Sequence, residues 1–160
     1  MGILYERHKL SLYSYFLRCT TDRVKSEDMV HNVFLKVMKN VHHFKGSGEF
    51  KYWLFRIARN SWIDKAKSKE PVLKAVALES DRDDLSTSDE SDALSIKEMR
   101  KVKLRKALEC LSDEKRDAII MSRYQGMDYK TIAEISDCTE SAVKSRVMRG
   151  LGEIRKLVNG

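Results

Sequence analysis

From His42 to Lys69 the chain reads HHFKGSGEFKYWLFRIARNSWIDKAKSK, which sets aromatic rings, a carboxamide and cations around two glycines. Nucleobases that have left a duplex stack on aromatic side chains, and cations follow the phosphate backbone. A glycine-containing loop can close around one extruded base. The Asn60 amide can pair with a base edge, and Arg56, Arg59, Lys65 and Lys67 can take phosphates. Phe50 and Trp53 fit a core better than a nucleic-acid platform. Phe44 and the loop backbone at Lys45, Gly46 and Ser47 are therefore the functional candidates.

The second chemistry-bearing stretch, TESAVKSRVMRGLGEIRKL, starts at Thr139. Thr139 is an N-cap, and Val143, Val147, Leu151 and Ile154 recur as one buried stripe. Ser141, Lys144, Ser145, Met148 and Arg149 face elsewhere. Lys and Arg near the start of such a helix reach guanine acceptors or phosphates in a major groove. Upstream, YKTIAEIS reads as a short helix capped by Asp128 and followed by a tight turn at Asp137, a position that needs positive φ. Two short helices joined this way form a helix-turn-helix, with the small Ala133 allowing close approach.

Other elements must hold these stretches in place. Leu10, Tyr13 and Leu17 mark a first helix. Ser26 reads as the cap of a second, with Val30, Val33, Phe34, Val37 and Val41 as its buried stripe. The two glycines of FKGSGEF break the pattern, and a third helix starts near Phe50. Ser112 caps a helix that stops near Gly126.

The 160 residues carry a net charge of +7, which favours polyanionic partners. Residues 1–70 carry +7, residues 71–98 carry −5 and residues 99–160 carry +5. The middle segment holds the only proline, Pro71, and a Ser/Asp-rich run with little apolar surface to offset its ordering entropy. It reads as a flexible acidic linker between two basic helical domains, so the fold class expected is all-α. No apolar run reaches the roughly 20 residues that span a bilayer, and membrane insertion is not expected. Cys19, Cys110 and Cys138 suggest neither a disulfide framework nor a zinc site, and reduced thiols in the cytoplasm are the expectation. No metal, cofactor, nucleophile–base pair or phosphate loop is expected, and the chain does not read as an enzyme.

The combination WLFRIARN…D with YKTIAEI…AVKSRVMRG, in this order across an acidic linker, resembles the extracytoplasmic-function group (group 4) of bacterial sigma-70-family RNA polymerase sigma factors. Residues 1–70 resemble their region 2 and residues 99–160 their region 4. The resemblance implies a transcription initiation factor that directs core RNA polymerase to promoter DNA, with an inhibitory anti-sigma factor as a further partner. Asp28, His31, Asn32 and Phe34 would dock on polymerase. The loop from Phe44 to Phe50, beside Lys36 and Asn60, would capture an extruded base of the minus-ten element. The helix from Thr139 would read the minus-thirty-five duplex through Ser141, Lys144, Ser145, Arg146 and Arg149, with Arg123 on a phosphate. The chain departs from the family pattern at His31, Asn32, Ser112, Ser136, Asp137, Ser141 and Ala142, and the changes at Ser136 and Asp137 suggest a looser turn. A stand-alone helix-turn-helix regulator and a helical module for an acidic protein partner are the rival readings.

Overall fold

Stripes of apolar residues at helical spacing require partners, and each helix finds them on its neighbours. The computed structural model describes residues 2–46, 49–69 and 92–160; the side chains of 65–69 and 92–94 lie outside that description. The helices are α1 (Gly2–Thr20), α2 (Arg23–Asn40), α3 (Phe50–Lys69), α4 (Asp92–Glu109), α5 (Asp113–Ile119), α6 (Tyr129–Ser136) and α7 (Glu140–Asn159). A 3-10 turn, Val41–His43, follows α2, and a π-helical turn, Ile120–Tyr124, continues α5. The all-α expectation holds.

In the N-terminal half, α1 and α3 pack on α2. The buried face of α1 is Leu12, Tyr15, Phe16 and Cys19, while Leu10 is 72% exposed. The stripe expected at Leu10, Tyr13 and Leu17 is thus out of phase, because α1 carries apolar residues around much of its circumference and spacing alone does not choose among them. Ser26 is not a cap. Asp22 accepts from the Lys25 amide at 3.0 Å, and the buried Ser26 hydroxyl donates to the Asp22 carbonyl at 2.6 Å. The helix begins one turn earlier than expected because Thr21, at φ 55°, turns the chain sharply enough for Asp22 to cap it. Val41 falls in the 3-10 turn and is exposed.

In the C-terminal half, α5 and α4 pack against α7, and α6 lies across it. The caps at Ser112, Asp128 and Thr139 form as expected, accepting from the amides of Lys115, Thr131 and Ala142. Such caps stabilise a helix by about 1 kcal/mol each. Gly126 is left-handed at φ 66° and ends the α5 segment. Most of the segment 71–98, expected to be linker, lies outside the described residues. Residues 92–98, at the end of that segment, form the first turns of α4; DALSIKE has neither Gly nor Pro to stop a helix and an acid where the dipole favours one.

The halves touch. α3 packs on α6, and α1 meets α5 and the π-helical turn. Buried residues from both halves belong to one continuous apolar cluster.

Candidate nucleic-acid interface

The aromatic loop is built by neighbouring residues of α3. The Phe44 ring lies edge-on to Phe50 at 5.6 Å and tilted over Trp53 at 5.4 Å. All three are partly buried; Phe50 and Trp53 pack against the apolar core as expected, while Phe44 lies outside that cluster and rests its ring against both of theirs. Lys45 and Gly46 are exposed beside it, with Gly46 at φ 70°; Ser47 lies outside the described residues. One turn apart on α3, Arg56 and Asn60 are both exposed. The helix carries Lys65 and Lys67 further along, but their side chains are outside the description.

Lys36 reaches across from α2 and donates from Nζ to the Ser61 hydroxyl at 2.9 Å, which ties α2 to α3. A cleft of about 420 Å³ between these helices is lined by Asn32, Lys36 and Asp64 among others. A second cleft, about 320 Å³, runs between the aromatic platform and α6, with Phe44, Trp53 and Arg56 on one wall and Thr131 and Glu134 on the other.

Arg59 is not where a phosphate contact needs it. Its Nε donates to Asp117 Oδ2 at 2.6 Å, and the side chain is only 12% exposed. Tyr15 donates its hydroxyl to Asp117 Oδ1. Burial pushes the Asp117 carboxyl above the usual carboxylate range, against the opposing pull of Arg59, Tyr15 and Arg146. The Tyr15 hydroxyl is held well above the ordinary phenol range, mainly by burial.

On α2, Asp28, His31 and Asn32 form an exposed face. Phe34 does not join them; it is buried and packs edge-on against Tyr5 at 4.8 Å. Spacing already placed it on the apolar stripe, and that face won.

On α7, Ser141, Lys144, Met148 and Arg149 are exposed and Ser145 half-exposed beside them. Residues 141, 144, 145 and 148 follow the one-face period of a helix. Met148, 59% exposed, was not singled out by its type, yet an apolar side chain on this face can meet a thymine methyl. Thr139 spends its hydroxyl on the cap, accepting from the Ala142 amide at 3.1 Å. Arg146 is the exception on this helix. It pairs with Glu114 at 3.4 Å and donates to Cys138 Sγ at 3.3 Å, bracing α7 against α5 and the turn instead of joining the exposed face. Arg123 is exposed on the π-helical turn. Asp137 is left-handed at φ 53°, as the turn requires.

The pattern of Sigma-70 region 2 matches residues 4–71, and that of Sigma-70 region 4 matches residues 101–154. The chain is 30% identical over 159 residues to the ECF RNA polymerase sigma factor SigL of Mycobacterium tuberculosis, covering 97% of this chain and 86% of that protein. It is 27% identical to the ECF RNA polymerase sigma factor SigX of Bacillus subtilis, covering 96% and 81% respectively. Among solved structures, the sigma factor RpoE from Bartonella quintana, in complex with the anti-sigma factor NepR, superposes with a TM-score of 0.75 at 25% identity over 99% of this chain and 98% of that one. CnrH, in complex with the cytosolic domain of CnrY, shares the fold at a TM-score of 0.71 and 20% identity, over 99% of this chain and 86% of that one. Two helical halves matching regions 2 and 4 in order, and relatives of the same kind matched almost end to end, make the chain a member of the sigma-70 family: a transcription initiation factor of the extracytoplasmic-function type that directs RNA polymerase.

Proposed function

We propose that the two halves of this sigma factor read different forms of promoter DNA. The N-terminal half captures an extruded base of the minus-ten element at the platform of Phe44, Phe50 and Trp53. Asn60 pairs with its edge, and Lys45 and Arg56 hold phosphates. The C-terminal half lays α7 in the major groove of the minus-thirty-five duplex, with Ser141, Lys144, Ser145, Met148 and Arg149 toward the bases and Arg123 on the backbone. Asp28, His31 and Asn32 offer core polymerase a polar face. The observation that carries this reading is the single open side formed by Arg56 and Asn60 next to the aromatic loop. Catalysis of a chemical step plays no part; opening is driven by binding energy. The cytoplasm, where the polymerase works, is the proposed location. An anti-sigma factor is a proposed partner, as in the solved complexes of similar fold.

Transcription with purified core polymerase on duplex and pre-opened templates tests this. Asn60→Ala should impair initiation on duplex DNA by about five- to 150-fold, the worth of a lost 1–3 kcal/mol base contact. Much of that loss should return on a template mismatched across the minus-ten region, where unpairing costs nothing further. An equal defect on both templates, or none on either, rejects the role of Asn60 in opening.

A further inference from the structure

The Lys36 ammonium is fixed in place before any ligand meets it. It spends one of its N–H donors on the Ser61 hydroxyl at 2.9 Å, and Ser61, 7% exposed, itself donates to the Ile57 carbonyl at 2.9 Å. An ammonium has further donors to give, and holding it on a buried hydroxyl lowers the ordering entropy that binding costs. Lys36 lies in the wall of the cleft of about 420 Å³ between α2 and α3, a size that suits a small molecule. The same face of α2 carries Asn32 one turn before Lys36 and Lys39 one turn after it, and α3 adds Asp64 one turn beyond Ser61. Helix direction orders these groups. α1 runs against α2, since Thr20 meets Ser26 at 2.9 Å and the Tyr5 ring meets that of Phe34 at 4.8 Å. It runs along α3, since the His8 ring meets that of Phe50 and the Tyr15 ring that of Phe55, both at 5.5 Å. α2 and α3 are therefore antiparallel. With Lys36 opposite Ser61, Asn32 and Asp64 fall at one end of the cleft and Lys39 at the other.

We propose that this cleft binds a guanosine phosphate, with the phosphates on Lys36 and Lys39 and the guanine edge on Asp64 and Asn32. Two cations one turn apart suit a polyphosphate chain. The carboxylate at the far end repels a simple anion, so the ligand must bring N–H donors there. Guanine presents N1–H and N2–H side by side, matching the two oxygens of a carboxylate, with O6 next to them for the Asn32 amide. Adenine offers one N–H beside the N1 lone pair, and that lone pair faces the carboxylate unfavourably. Met29 and Leu35 supply apolar surface for the flat of the ring. From Asn32 to Lys39 α2 rises about 10 Å, room for base, sugar and phosphates in line. The cleft is separate from the one beside the aromatic loop, which Phe44, Trp53 and Arg56 line.

Isothermal titration calorimetry on the full chain tests this with GDP, ADP and guanosine. The buffer contains EDTA, so that no metal bridges Asp64 to a phosphate. GDP should bind one to one. ADP should bind about tenfold or more weakly, the worth of a lost charge-assisted hydrogen bond. Guanosine, without the phosphates, should lose a similar factor. Asp64→Ala should weaken GDP binding about tenfold. It also removes the repulsion between the carboxylate and the phosphates, so ADP should bind no more weakly than to wild type. Lys39→Ala should instead weaken GDP and ADP by the same factor. Asp64 and Lys39 are both exposed, so these variants should keep the helical circular dichroism of wild type. Absence of GDP binding up to about 1 mM overturns the site. Equal affinity for GDP and ADP, or a GDP affinity that Asp64→Ala leaves unchanged, overturns the assignment of guanine to Asp64.

Discussion

Arg146 and Arg149 lie three residues apart on α7, and the charge pattern of the sequence treats them alike. The fold separates them: Arg146 is braced by Glu114 and Cys138, and Arg149 is free toward solvent. Arg149→Ala should weaken binding to the cognate upstream duplex by about 1–3 kcal/mol if it meets a base edge, or weaken all duplexes nearly uniformly, with a shallower salt dependence, if it meets phosphate. Arg146→Ala should instead lower the thermal midpoint and leave the affinity of the folded fraction unchanged. Anisotropy titrations beside melting curves distinguish these outcomes, and unchanged binding by Arg149→Ala would remove it from the interface. Helical period shows that a residue is off the buried stripe; it does not show which other helix passes nearby. For the same reason Arg59 and Asn60 were equivalent in sequence and are opposite in the structure. Asp137 was legible, because a three-residue turn between helices needs a left-handed residue whatever its type. A non-glycine residue there bears a steric cost, so Asp137→Gly should raise stability by up to about 1 kcal/mol, read as a higher denaturant midpoint at unchanged slope.

Among the elements, those with a cap and one clear stripe were legible: α6 and α7 begin where Asp128 and Thr139 place them. Helices with apolar residues on two sides were not, because spacing alone does not choose which face of α1 is buried. Helix–helix contact distances also leave no trace in a single sequence, and Gly150 is the clearest case. It sits in mid-helix, where Gly is about 1 kcal/mol worse than Ala, yet a Cβ there would stand 2.5 Å from Ile119 Cδ1 on α5. The clash is with the end of one side chain; Lys115 Cβ, at 3.5 Å, is in ordinary contact. Two effects of similar size therefore oppose each other in Gly150→Ala, a propensity gain of about 1 kcal/mol and an overpacking cost of about 1–3 kcal/mol. The net expectation is a small loss. Ile119→Val removes the obstructing methyl and costs about 0.5–1.5 kcal/mol alone. Combined, the two substitutions should be more stable than their separate effects predict, with a coupling of at least about 0.5 kcal/mol by denaturant unfolding. Strict additivity would show that α5 and α7 do not approach this closely.

The whole molecule is where the sequence was least informative. Charge by segment divides it into basic, acidic and basic thirds, which points to two separate domains, and the two halves do match regions 2 and 4. Charge alone did not reveal that the basic halves pack on each other. Their like net charges oppose contact, but what decides it is local: Asp117 is an acid placed among Tyr15, Arg59 and the surrounding apolar cluster. This has a consequence for a nicked chain. The composition of residues 71–91 predicts cleavage there by a nonspecific protease. If the halves hold each other only weakly, the two fragments should part as soon as the peptide connection is cut. A tether supplies an effective concentration of order millimolar, so cutting it at about 10 micromolar protein weakens association about a hundredfold, or about 2.7 kcal/mol. The continuous core and the five polar or ring contacts across the boundary are expected to withstand that loss at this concentration. The fragments should therefore run as two bands on a denaturing gel but leave a gel-filtration column together, at the volume of the uncut protein. Nicked Asp117→Ala should separate into two peaks, because the interface between the halves then buries an unpaired Arg59. Two peaks from the nicked wild type would mean that the interface depends on the tether, with closure a matter of proximity more than of complementary surfaces.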